Sequence, residues 1–187
     1  MRNISQRDLH AIIASHRLWI ETQFTQGFRA DLSGADLSKL NLSKVDLRYA
    51  DLRGVVFNEC NLSESVFYEA NLSSALLMEA NLSRAIFTKA DLSRANLSKS
   101  NMRETNFCSA NLSEAYIAEA DLSSSNLTSA NLSAANLSKS NLNRADLKWA
   151  NLNGAVLSEA DLNWADLRAV DLSTTDLSWA NIGANYM

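Results

Sequence analysis

The sequence contains no proline, five glycines and two cysteines among 187 residues. It therefore lacks the turn residues of a loop-rich sandwich and the cysteines of a disulfide framework. No apolar run reaches the roughly 18 residues of a membrane span, and the N-terminus has no signal-peptide pattern. A net charge of −4 supplies no general basic surface for nucleic acid or anionic lipid. We expect a cytoplasmic protein with no direct nucleic-acid or membrane contact.

What the sequence has instead is a five-residue repeat. From Leu32 to Ile182 every fifth residue is large and apolar, with Leu at 24 of 31 positions and Phe at four. The residue two places earlier is Ala at 20 of 31 positions, and the residue between them is Asp or Asn at 25. A period of five fits neither a continuous helix nor a continuous strand. The chain is therefore predicted to turn in every repeat.

Alternation over three residues places the small and the large apolar side chains on one face of a short extended segment. The Asp or Asn between them points outward, and the serine-rich positions that follow suit turns. Each repeat then forms one side of a coil, and stacked coils form an all-β solenoid with a continuous apolar interior. The predicted core includes Leu32, Leu37, Leu92, Leu132, Phe67, Phe87 and Phe107.

Charge limits the number of sides in a coil. The fifth residue of each repeat carries most of the Lys, Arg and Glu, and residues one coil apart should pair with opposite sign. A spacing of 20 gives ten opposite pairs and one like pair, 15 gives six and three, and 25 gives nine and one. Charge therefore excludes three sides and leaves four or five. Four sides are favoured because five would enlarge the interior and leave voids.

The run ADLSG ADLSK LNLSK, continued over 30–182, resembles the pentapeptide-repeat family. The resemblance implies a right-handed quadrilateral β-helix with the central Leu or Phe and the preceding Ala inside. About eight four-sided coils would form a rod of roughly 35–40 Å. We predict this β-helix over 30–182, an N-terminal α-helical cap with its lead-in over 1–29, and a tail over 183–187.

The N-terminal segment carries the signals of a helix. Ser5 and Asp8 resemble a capping box, and apolar residues at helical spacing continue to about Phe24. We interpret this segment as a helix that lies across the first coil.

The C-terminal end has no equivalent cover in the sequence. Three tryptophans occupy outward fifth positions there, and large apolar residues would face along the axis. Exposed Trp beside an open apolar end favours an interface. We predict a homodimer joined end to end through the C-terminal coil; the alternative is that Tyr186 and Met187 fold back as a plug. The candidate interface comprises Trp149, Trp164, Trp179, Leu177, Ile182 and Tyr186.

Apolar residues also replace Asp or Asn at several outward positions. In a four-sided coil Val56 would lie over Leu76, and Val66 would lie over Ile86 on the opposite side, with Tyr116 in the first column. These five residues form a candidate partner surface, although pairs this small also suit simple ladder packing.

Catalytic chemistry finds no support in the sequence. His10 and His16 are six residues apart, which suits no metal pair on a helix. Cys60 and Cys108 are predicted to lie more than two coils apart, too far for a disulfide. The carboxylates are spread around the rod, so no cleft gathers them. We predict no enzyme activity, no catalytic or metal site and no cofactor.

The predicted function is a non-enzymatic protein-interaction module or rigid scaffold with an unidentified protein partner. The alternative, which the family resemblance implies for some members, is a DNA mimic that binds DNA gyrase or another topoisomerase. Residues 104–187 hold ten acidic and four basic residues, as mimicry requires. A positive belt at four consecutive fifth positions interrupts that acidity: Arg84, Lys89, Arg94 and Lys99.

Overall fold

The computed structural model describes residues 2–183. Its one helix among these residues, α1, spans Gln6–Glu21. After α1 the backbone pairs through single-residue parallel bridges and forms no longer strand within the described range. The bridges join residues 20 apart, from Asp31 with Asp51 to Asp161 with Asn181. A coil therefore takes four repeats, which decides between the four and five sides that charge left open.

Three backbone hydrogen bonds fasten each side to the next coil. The N–H of Leu92 donates to the carbonyl of Asn111 at 2.7 Å, and the N–H of Asn111 donates back to Ala90 at 2.9 Å. The N–H of Arg94 donates to the carbonyl of Ser113 at 2.9 Å. Because this pattern repeats along the rod, the short sides are held together as a continuous solenoid.

Every corner is a tight turn with an unusual backbone angle. In the repeat at Leu92, its carbonyl accepts from the N–H of Ala95 at 3.0 Å, and Arg94 adopts φ +58°. A positive φ at the third residue is typical of a type II turn and favours glycine. Here most corners carry Lys, Glu, Arg or Ser, so the ladder bonds outweigh the local preference.

The outward Asp or Asn has a structural role in these turns. The Oδ1 of Asn96, for example, accepts from the N–H of Ser98 at 3.0 Å and from its hydroxyl at 2.7 Å. Asp and Asn are the residues whose short side chains reach the backbone two residues on. Their frequency therefore reflects turn formation, and no ligand is needed to explain it.

The interior is a column of apolar side chains along the axis. Each predicted core residue is at most 2% exposed: Leu32, Leu37, Leu92, Leu132, Phe67, Phe87 and Phe107. Phe87 stacks on Phe67 with ring centroids 4.6 Å apart and on Phe107 at 5.1 Å. Hydroxyl groups that replace the inward Ala are satisfied by carbonyls of the preceding coil, as when Thr105 donates to Leu82 at 2.9 Å.

Helix α1 packs against the first coil. The Ser5 hydroxyl oxygen accepts from the N–H of Asp8 at 3.1 Å, as expected for an N-cap. Leu9 and His16 are buried on its inner face. The helix ends at Glu21, earlier than the sequence pattern suggested, because Phe24 adopts φ +73°, outside the helical region.

One corner near the C-terminal end departs from the regular turn. Among the described corners from Gly34 to Trp179, Thr174 alone lacks a positive φ, and the bridge expected between Asn151 and Asp171 is missing. The N–H of Gly154 donates to the Thr174 hydroxyl at 3.1 Å instead of to a backbone carbonyl. A β-branched side chain disfavours the left-handed conformation. Thr174 therefore loosens one side of the last coil.

Candidate interaction surfaces

The outward apolar residues lie on two opposite faces of the rod. Bridges join Val56 to Leu76 and Val66 to Ile86, which gives the two columns that the sequence predicts. Leu76 and Val66 are half-buried and Ile86 is exposed. Val56 is only 4% exposed, because its short side chain lies between the outward residues of the coils on either side. Its inclusion in the candidate partner surface is therefore corrected, and the remaining surface is smaller than expected.

Tyr116 is the most prominent of these residues, with 58% of its surface exposed. It stands beside a shallow depression that Arg94, Glu114, Ala134 and Asn136 also line. The depression exists because the corner carries a long ion-paired side chain at Glu114 and a short one at Ala134. A phenol ring above a recess with a charged edge combines apolar and polar contacts in one place. Such combinations are common in binding surfaces.

The positive belt is neutralised by acidic residues one coil away. Arg84 pairs with Glu104 at 2.9 Å, and Arg94 pairs with Glu114 at 3.0 Å. Lys89 and Lys99 likewise pair with glutamates at 3.4 and 4.0 Å. The paired side chains are largely exposed, so each bridge contributes little to stability. The belt therefore offers no unpaired positive surface.

Asparagine side chains form ladders on the other two faces. Asn131 donates to the Oδ1 of Asn111 at 3.1 Å, and Asn151 donates to Asn131 at 3.2 Å. A similar ladder joins Asn61 to Asn41 at 3.1 Å. The sequence analysis did not identify these ladders, although Asn recurs at a spacing of 20. Their amides bond to one another, which leaves these faces less available for a partner.

The three C-terminal tryptophans are exposed, and Trp179 is 90% exposed. Because they are 15 residues apart in a coil of 20, Trp149, Trp164 and Trp179 lie at three different corners. They surround the end of the rod and do not form one cluster. Leu177 is half-buried and Ile182 is exposed. Tyr186 lies outside the described residues, so its place in the interface and in the alternative plug stays a prediction.

An exterior aromatic cluster joins the cap to the solenoid, and the sequence analysis did not identify it. Trp19 contacts Phe24 with centroids 4.4 Å apart, Phe24 contacts Tyr49 at 5.7 Å, and Tyr49 contacts Tyr68 at 5.6 Å. Lys89 lies over the Tyr68 ring. These residues come from the cap and from successive coils, so only the register of the coils reveals the cluster. It fastens α1 to one corner of the rod.

The titratable groups that sequence analysis considered lie apart. His16 is buried and its Nδ1 accepts from the N–H of Ala30 at 3.0 Å, whereas His10 is exposed. Burial lowers the pKa of His16 and raises the pKa of the Cys60 thiol. Within residues 2–183 no group of three or more His, Cys, Asp or Glu is arranged to hold a metal ion. No helix there is long and apolar enough to cross a membrane.

A square solenoid with one five-residue repeat per side and a Leu/Phe interior defines a specific class of β-helix. The family model for pentapeptide repeats matches this chain in eight copies, over residues 28–63, 46–84, 75–113, 109–144 and 145–182. The chain therefore belongs to the pentapeptide-repeat family.

Solved structures of pentapeptide-repeat proteins resemble the whole chain. HetL, from the cyanobacterium Nostoc sp. strain PCC 7120, is involved in the regulation of heterocyst differentiation. It shares 28% identity over 100% of this chain and 95% of its own, with a TM-score of 0.53. QnrB1, a plasmid-mediated fluoroquinolone resistance protein, shares 21% identity over 79% of this chain and 84% of its own, with a TM-score of 0.66. The likeness to QnrB1 extends to the fold alone. No curated protein sequence matches the chain.

Proposed function

We propose that this protein is a non-enzymatic interaction module, a rigid rod that binds another protein through the face that carries Tyr116. The observation that supports this proposal is the contrast between Tyr116 and its surroundings. Corner charges pair along the rod and amides form ladders, whereas Tyr116 is largely exposed beside an open depression. Tyr is enriched in protein interfaces because its ring is apolar and its hydroxyl can form a hydrogen bond.

The similarity to HetL favours a regulatory rather than a metabolic role. HetL is involved in the regulation of heterocyst differentiation, and it is similar along the full length of this chain. A rod without a gathered set of catalytic groups can act in regulation by holding a partner. The partner remains an unidentified protein, and its binding would bury the Tyr116 ring.

DNA mimicry receives less support from the charge pattern. A mimic needs a sustained negative surface, since duplex DNA carries about one charge per 1.7 Å. Here positive and negative corner residues alternate between coils, as in the pairs Lys44 with Glu64 and Arg84 with Glu104. The acidic excess is confined to the C-terminal part. A gyrase supercoiling assay should therefore show no inhibition and no protection by this protein.

The C-terminal coil is a second contact surface under this proposal. Trp179 and Ile182 are exposed there, and the sequence predicts self-association at this end. Self-association through the coil would leave the Tyr116 face available for a different protein. The two surfaces can therefore be tested separately.

The test compares partner capture from source cells by the full chain and by two variants. Tyr116→Ser removes the exposed ring, and Asn126→Ser is the matched control at an outward position on the neighbouring face. We expect wild type and the control to retain the same stoichiometric protein, and Tyr116→Ser to lose it. Capture of the same protein at the same level by Tyr116→Ser would reject the proposed surface.

A further inference from the structure

The two ends of the rod carry charges of opposite sign. Residues 2–29 contain four arginines and two acidic residues. Residues 161–183 contain four aspartates and one arginine. Along the middle of the rod, by contrast, lysines and arginines at the corners pair with glutamates of adjacent coils. The rod therefore has a positive end and a negative end.

Several of these end charges lack an ion pair within the described part of the chain. No salt bridge there reaches Arg7 or Arg17 on α1, or Asp171 or Asp176 in the last coil. Hydrogen bonds from Ser173 and Ser178 lower the pKa values of the two aspartates, so both stay ionised at neutral pH. Complementary charges of this kind guide two surfaces into register.

Both ends also expose large apolar side chains. Leu18 and Phe28 are exposed at the cap, and Phe28 reaches 79%. At the other end Trp179 and Ile182 are exposed. An apolar centre with charged groups around it is the usual composition of a protein interface.

The last coil presents a backbone edge that needs a cover. The N–H groups of Leu172 and Leu177 have no acceptor among the described residues, whereas the equivalent groups of earlier coils donate to the next coil. At the opposite end α1 covers the first coil. Its outer face, opposite Leu9 and His16, carries Arg7, Leu18 and the small residue Ala14. Small side chains let a helix approach closely.

From these observations we propose that the chain associates head to tail, with the outer face of α1 in one copy packed on the last coil of the next copy. Such an interface joins two different surfaces, so it leaves a free end on each side and builds a linear assembly. The arrangement brings arginines against aspartates. A tail-to-tail dimer would instead place Asp171 and Asp176 of two copies close together. The proposal concerns the ends alone and does not depend on what Tyr116 binds.

The test reverses charge at each end of the full chain. The head variant is Arg7→Glu/Arg17→Glu, and the tail variant is Asp171→Lys/Asp176→Lys. The combined variant carries all four changes. Sedimentation velocity over a range of micromolar concentrations measures the mass, and circular dichroism verifies that each variant folds.

We expect the wild-type mass to rise beyond that of a dimer with concentration and to fall as salt is added. Each single-end variant should weaken association on the order of tenfold or more, and the combined variant should recover it because its charges are complementary again. A control with charges added at mid-rod corners, Ser124→Lys/Ser129→Lys, should associate like wild type.

Three results would overturn the proposal. The first is a wild-type protein that is monomeric at all concentrations. The second is a head variant that associates as well as wild type, which is the behaviour of a tail-to-tail dimer. The third is a combined variant that stays as weak as the single-end variants.

Discussion

Replacing Phe87 by alanine removes the middle ring of the interior stack. The ring is fully buried and lies between Phe67 and Phe107, with centroid distances of 4.6 and 5.1 Å. Loss of a buried Phe costs about 3–5 kcal/mol of unfolding free energy. We expect the upper part of that range, because three backbone hydrogen bonds on each side hold the coils apart and prevent the cavity from collapsing.

The matched control is Ile86→Ala at the adjacent position. Ile86 faces outward and is exposed, so its truncation should cost about 1 kcal/mol or less. Urea unfolding followed by far-ultraviolet circular dichroism measures both free energies. Equal losses for Phe87→Ala and Ile86→Ala would refute the assignment of inner and outer positions.

Three further predictions follow from the same structure. Leu92→Asp should unfold the middle of the rod and Asn96→Asp should have a mild effect, as measured by thermal midpoints; similar small shifts would contradict the facing of these residues. Burial lowers the pKa of His16, against the raising effect of Asp46, so stability should be full above the unfolded value of about 6.5 and should fall as the pH drops below it; in urea titrations at neutral and mildly acidic pH, His16→Gln should lose part of this dependence. Thr174→Gly should restore the regular corner and slow hydrogen exchange of the nearby Leu152 amide, whereas unchanged exchange would show that Thr174 is not the cause of the irregular side.

The repeat alone predicts most of the solenoid. Leu32 and its equivalents recur without interruption, and one large and one small residue per repeat determine which side chains lie inside. The size of the coil was less certain, because charge pairing fits both 20 and 25 residues. The bridge from Asp31 to Asp51 decides it, and that bridge depends on backbone closure, which no single repeat encodes.

Features that depend on contacts between distant repeats were harder to predict. Val56 is outward by register yet buried by its neighbours, and the three tryptophans are spread over three corners although they are close in sequence. The contact of Phe24 with Tyr49 links the cap to a coil that sequence periodicity treats separately. In each case the result follows from the 20-residue register combined with side-chain length.

The most direct test of the account is the register of neighbouring coils. In a Cys108→Ser background, cysteines at positions 109 and 129 would lie at the same corner of adjacent coils, within the roughly 4.4–6.8 Å between Cα atoms that a disulfide requires. Paired cysteines at 109 and 124, or at 109 and 134, would lie at different corners. We predict rapid intramolecular disulfide formation for Ser109→Cys/Ser129→Cys alone. Preferential cross-linking of Ser109→Cys with Ser124→Cys or with Ala134→Cys would contradict a coil of 20 residues.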